Sequence, residues 1–299
     1  MPMIHASKGH VVLNRIIFGA IFVLMLVLSG LTHHTYAQAT PIGLSAPAEG
    51  SSNGTLPPGT IPNQALYLPL ISVNSQMINN RVFDAIPVMG PPVDHPAAIN
   101  GDLNLALRGY ISITTALTLV DINGDVDLDA PQLIGLFSPP RLPKFTGAYQ
   151  VYDWNWGCGP HGCRGGVLTE PESTLLEVTT TPGEPLFIPT RNAEILGGGY
   201  KVLVLYAEAH RITLTYTRQD TPAIGYIVQL EDITVDPALV ALYDQLDAAG
   251  RSKLPALHQN ESFGFASGAS IKLAIRDTGS FLDPRSRKDW WFGFQALIR

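Results

Sequence analysis

From Thr174 to Asp277 the chain is a succession of short apolar segments rich in β-branched residues, cut by glycine, proline and charged turns. TLLEVTT (174–180), EPLFIPT (184–190), YKVLVLYAEA (200–209), HRITLTYTRQ (210–219) and GYIVQLEDI (225–233) each read as a strand. FGFASG (263–268) and ASIKLAIRD (269–277) continue the pattern. One helix interrupts it. Asp236 suits an N-cap and Pro237 the first turn, Leu239, Leu242, Tyr243 and Leu246 share a face, and Gly250 is placed to stop it. The 28 Gly and 24 Pro across the 299 residues speak equally against a helical bundle. The fold expected is therefore mostly β: an antiparallel β-sheet or sandwich domain with one helical insertion, spanning 149–299.

The N-terminal third reads differently. Lys8 and Arg15 precede an uncharged apolar run, Ile16 to Leu31, and Ala37-Gln38-Ala39 has the small-x-small form of a cleavage site. Residues 1–39 are read as a signal peptide, with an uncleaved anchor as the alternative, because the run nearly reaches the roughly 17 residues of a spanning helix. No Cys follows the run to suggest a lipoprotein, and no later stretch is apolar enough to span. The expected location is secreted or at the outer face of a bacterial cell membrane. Residues 40–95 form a Pro/Gly/Ser-rich tether. Within it Tyr67–Ile71 and Val82–Pro92 are apolar enough to dock as edge segments, where proline is tolerated. Residues 96–148, with turn signals at Asn100-Gly101 and Asn123-Gly124, suggest a small β subdomain.

Charge excludes one partner class. The net charge is -6, and loss of Lys8 and Arg15 with the signal moves it to -8. A nucleic-acid partner is not expected of so acidic a chain.

The closing stretch LPALHQNESFGFASGASIKLAIRDTGSFLDPR resembles the C-terminal half of the lysostaphin-type (LytM-like) zinc endopeptidase domain of cell-wall hydrolases. In that family a hairpin with a glycine turn leads into His-x-His-Phe-Glu-x-Arg, another turn, and Asp-Pro. Here Phe263-Gly264 falls at the first turn, Ala274-Ile275-Arg276 at the strand end, Gly279 in the next turn and Asp283-Pro284 at the close. PGEPLFIPTRNAEILGG and GYIVQLED resemble upstream strands of the family, so the likeness covers roughly Ser173 to Arg285. The family's chemistry does not follow. Its closing-strand histidines fall on Ser270 and Lys272, and its upstream ligands on Ser173 and Glu177. Catalytic zinc wants three protein ligands, and past residue 39 only His95, His161, His210 and His258 remain, none in an H-x-H or H-E-x-x-H arrangement. The resemblance implies a degenerate, non-hydrolytic copy, with no catalytic residue, metal or cofactor assigned.

Several clusters remain. Trp154 and Trp156 share a face of an extended segment, either as a stacking platform for sugar or peptide or as core. Cys158 and Cys163, the only cysteines, suggest a disulfide in an exported chain; with His161 between them, a metal clip is the lesser alternative. Asp121, Asn123 and Asp125 start like a calcium loop, but Val126 and Gln132 stand where Gly and Glu are wanted, so an ordinary acidic turn is favoured. Arg285, Arg287 and Lys288 adjoin Trp290 and Trp291, either as a basic–aromatic binding cluster or as a strap over the domain's end. No nucleophile elbow, P-loop or dinucleotide fingerprint occurs. The function expected is an exported binding module for peptidoglycan, a glycan or an envelope protein. The rivals are a metallopeptidase with unplaced ligands and a structural surface or assembly protein.

Overall fold

The computed structural model of the protein describes residues 81–93 and 96–292. The expected signal peptide, Tyr67–Ile71 and His95 lie outside the described residues.

In chain order the strands are β1 (Asp84–Pro87), β2 (Tyr110–Ile113), β3 (Phe145–Asn155), β4 (Cys163–Val167), β5 (Leu175–Thr179), β6 (Pro185–Phe187) and β7 (Tyr200–Glu208). They continue with β8 (Arg211–Thr215), β9 (Tyr226–Glu231), β10 (Ile233–Val235), β11 (Lys253–His258), β12 (Ser262–Ala266), β13 (Ser270–Asp277) and β14 (Ser280–Leu282). Eleven of them form one antiparallel sheet in the order β1-β11-β7-β8-β9-β13-β5-β3-β2, with β14 on β13 and β4 on β3. A second, three-stranded sheet runs β10-β12-β6. The expected β-rich fold with one helical insertion is the fold observed.

That helix is α2 (Pro237–Ala248), and it forms for the reasons its sequence suggests. The Asp236 side chain accepts from the Ala238 N–H, Pro237 occupies the first turn, and Leu239 and Tyr243 are buried. Gly250 follows with φ +87°, a conformation open to glycine at little cost. The helix lies against β7 and β11.

One face of the large sheet is apolar. Leu176 and Val178 of β5, Ile271, Leu273 and Ile275 of β13, Val228 and Leu230 of β9, and Ile212 and Leu214 of β8 are all within the main core. Alternation in a strand sends the intervening residues to the opposite face. There the segment Asn100–Arg108, ending in the short helix α1 (Leu105–Arg108), crosses the sheet. Thr213 Oγ1 donates to the Leu103 carbonyl at 2.6 Å, and Arg276 Nη1 donates to the Asp102 carbonyl at 3.0 Å. Leu105 packs with Val151, Leu175, Ala274 and Phe281 in a small second cluster.

Two boundaries differ from those expected. The tether gives way to the fold before residue 95, because β1 pairs with β11 and buries Phe83 and Ile86 in the core. Of its two docking candidates Val82–Pro92 docks, on the edge, where Pro87 removes no needed N–H. Residues 96–148 hold one complete strand, β2, and the first residues of β3, and their Leu133, Leu136 and Phe137 lie in the same core as the later strands. Asn123-Gly124 turns without a hairpin around it, since the only pairing of that stretch is an isolated bridge from Val120 to Ser286.

Candidate functional site

The polar face of the sheet carries a row of charges that follows from strand register. Glu177 on β5 stands opposite Lys272 on β13, and Lys272 opposite Glu231 on β9. Glu231 stands opposite Arg211 on β8, and Arg211 opposite Glu208 on β7. The signs alternate over five neighbouring strands, so each charge faces its opposite. At about 4.8 Å per strand the row runs roughly 19 Å.

The groups at its centre are closely tied. Lys272 Nζ is ion-paired with Asp232 in the β9–β10 turn, and lies near the rings of Tyr110 and Tyr149, 5.8 and 5.9 Å from their centroids. Burial disfavours the charge of Lys272, but Asp232, Tyr110 and Glu177 outweigh it and raise the ammonium pKa. Glu177 accepts from Ser270 Oγ with one oxygen and from the Tyr149 hydroxyl at 2.6 Å with the other. Burial and that bond push the Tyr149 hydroxyl up to about 12. Glu231 is nearly buried; desolvation raises its pKa, and Arg211 Nε, 3.3 Å away, only partly offsets this. Beside the row a cleft of about 350 Å³ is lined by His210, Asp232, Ser267 and Ser270.

Three of the four positions singled out by the resemblance therefore meet: Glu177, Ser270 and Lys272. Ser173 does not join them; it is buried and donates to the Leu175 carbonyl. This donor set does not fit zinc. Both Glu177 oxygens are engaged, and the nearest strong charge is an ammonium, which repels a dication.

The tryptophans part company. Trp154 is half-buried under Gly101 and Gly162, where an added Cβ would fall 2.3 Å from the indole in each case. Its Nε1 donates to the His161 carbonyl. Trp156 is 39% exposed, packs edge-on to Trp154 at 6.3 Å, and donates to Asp102 Oδ2 at 3.1 Å. Cys158 and Cys163 are disulfide-bonded across this loop, with Cα atoms 5.5 Å apart, which takes both thiolates from any metal clip.

The C-terminal cluster is a strap. Trp290 and Trp291 are 3% and 0% exposed, and their indoles donate to the Asp283 and Pro284 carbonyls. Arg285 is 1% exposed, chelated by Asp283 and bonded to Glu172 and Thr115. None of the three presents a binding surface; their apolar area and hydrogen bonds are spent inward. Arg287 reaches Asp121 at 3.0 Å and Lys288 donates to the Asp125 carbonyl, so cations of the strap meet the acidic loop. Asp127 accepts from the Tyr226 hydroxyl. Among the described residues, no three His, Cys, Asp or Glu side chains are grouped around a metal position.

Sequence reasoning missed Asp102, Tyr110, Arg211 and Glu231. A signal was present: Arg211 opens its strand and Glu231 closes the next, so a hairpin between them brings the two charges level.

No family model matches the chain, and no curated protein or solved structure matches it either.

Proposed function

We propose that the protein is an exported, non-catalytic binding module of the cell envelope or extracellular space, on a degenerate LytM-like fold. Its ligand is a charged peptide-bearing wall polymer, peptidoglycan in the first instance, held along the Glu177–Lys272–Glu231–Arg211–Glu208 row. The observation that carries this reading is Lys272: an ammonium paired with Asp232 at the position the resemblance gives to a peptidase histidine. A row of fixed, alternating, half-buried charges exchanges ion pairs with an extended peptide bearing both signs, and provides no metal-bound water to attack one. The disulfide is compatible with export.

The test is retention of the full chain, expressed with its signal, on purified peptidoglycan. Wild type co-sediments, and Lys272→Met weakens retention roughly tenfold, about 1.4 kcal/mol. Equal retention of the two overturns the assignment of the row. Absence of retention together with concentration-dependent self-association favours the structural reading.

A further inference from the structure

We propose a second binding site, for a saccharide, in the cleft beside Trp156, distinct from the charged row and independent of the reading given to it. The cleft encloses about 370 Å³ between the Asn100–Asp102 turn, the β3–β4 loop and the β8–β9 loop, with Asn100, Asp102, Trp156, Thr221, Pro222 and Ala223 along its walls.

Its aromatic wall is held in place before any ligand arrives. The Trp156 indole is fixed by its bond to Asp102, by the edge contact with Trp154, and by a loop closed through Cys158–Cys163. Trp154 is itself wedged against Gly101 and Gly162, the latter at φ +77°, so neither glycine can take a larger side chain without displacing the indole. Behind this wall Asp102 is anchored. Arg276 Nη2 donates to its Oδ1 at 2.8 Å, Arg108 is ion-paired with the same oxygen, and Arg108 Nε donates to the Gly101 carbonyl at 2.6 Å. An exposed indole with its orientation fixed loses little freedom on binding, which is what makes an aromatic residue an effective anchor.

The polar groups around the indole complement a sugar. Asp102 Oδ2 accepts one bond from Trp156 and retains a lone pair for a hydroxyl. Asn100 is 2% exposed; its Oδ1 accepts from the Asp102 N–H, while its Nδ2 has no hydrogen-bond partner among the described residues. That amide can donate to a ligand hydroxyl at the cleft. Thr221 Oγ1 accepts from the Ala223 N–H, leaving its hydroxyl proton to donate. One acceptor, two donors and a flat apolar face match a pyranose, whose C–H face stacks on a ring while its equatorial hydroxyls reach the rim. A phosphate would meet the Asp102 carboxylate and be repelled by it.

The probes are cellotetraose and tetra-N-acetylchitotetraose, titrated calorimetrically against the full chain. At least one should bind, Trp156→Ala should raise its Kd at least tenfold, and Trp156→Phe, which keeps a stacking face, should stay within a few fold of wild type. Ala223→Trp, at an exposed position, fills the cleft and should abolish binding even if Trp156→Ala folds poorly. Lys272→Met should bind sugar as wild type does, which separates this site from the charged row. Failure of wild type to bind either sugar overturns the proposal, as does undiminished binding by Ala223→Trp.

Discussion

Arg251 follows α2 at φ +58° and turns its guanidinium into the core, where Asp220 receives it with both oxygens at 2.6 and 2.7 Å. Tyr243 and the Leu205 carbonyl accept from it at 2.9 Å. Removing the cation leaves Asp220 buried and uncompensated, so Arg251→Ala should cost about 3–5 kcal/mol in urea unfolding; a loss under 1 kcal/mol would contradict the hub. Asp102 has a different signature. Burial raises its carboxyl pKa, but Arg276 and Arg108 outweigh that and hold it below its ordinary 3.8. A carboxyl that titrates lower folded than unfolded contributes fully above its unfolded value, and loses that contribution as pH falls through its folded one. Asp102→Asn should therefore lower stability at neutral pH by about 1–3 kcal/mol and flatten the decline below pH 4. A parallel decline in both proteins would contradict it. These roles were not legible in sequence, since an Arg or Asp reads alike whether it faces water or a buried partner. Arg285 shows the converse: beside two tryptophans it suggests a binding patch, yet Asp283, two residues away, chelates it inward.

At the scale of elements, α2 was fully legible because cap, first-turn proline and apolar face are local signals. Asp236→Ala should cost about 1 kcal/mol, read as a lower thermal midpoint. Strand β11 was not legible. LPALH follows a helix and contains Pro255, which argues against an interior strand. The structure resolves the conflict by register: Pro255 pairs only with Ala85 of the edge strand β1, and pairing with β7 begins at Ala256. The β3–β4 loop tests another local device. Cys158 and Cys163 are five residues apart, and closing so short a loop is worth about 2 kcal/mol in the unfolded-chain picture. The double Cys→Ser variant should lose that much, and saccharide binding should weaken with it as Trp156 loses its fixed orientation. Unchanged binding would show that the Asp102 bond and the Trp154 contact fix the indole without the disulfide.

For the molecule as a whole, strand content was readable from alternation, and strand order was not. β13 lies between β5 and β9, so the charged row joins residues as distant as Glu177 and Lys272. No local pattern encodes such a register. The edge has a consequence for where the fold begins: a chain started at Val93 lacks Phe83 and Ile86 and exposes β11. Loss of their burial should cost roughly 3–6 kcal/mol, with self-association visible by size exclusion. A truncated chain as stable and monodisperse as the full one would contradict the placement of β1. The proposed binding role depends most on the polar face holding charge where a peptidase holds a metal. The decisive measurement is release of soluble fragments from purified peptidoglycan by the full chain supplied with excess zinc. The account predicts retention on the wall with no release above background. Fragment release that a chelator abolishes would contradict it and make the protein a hydrolase.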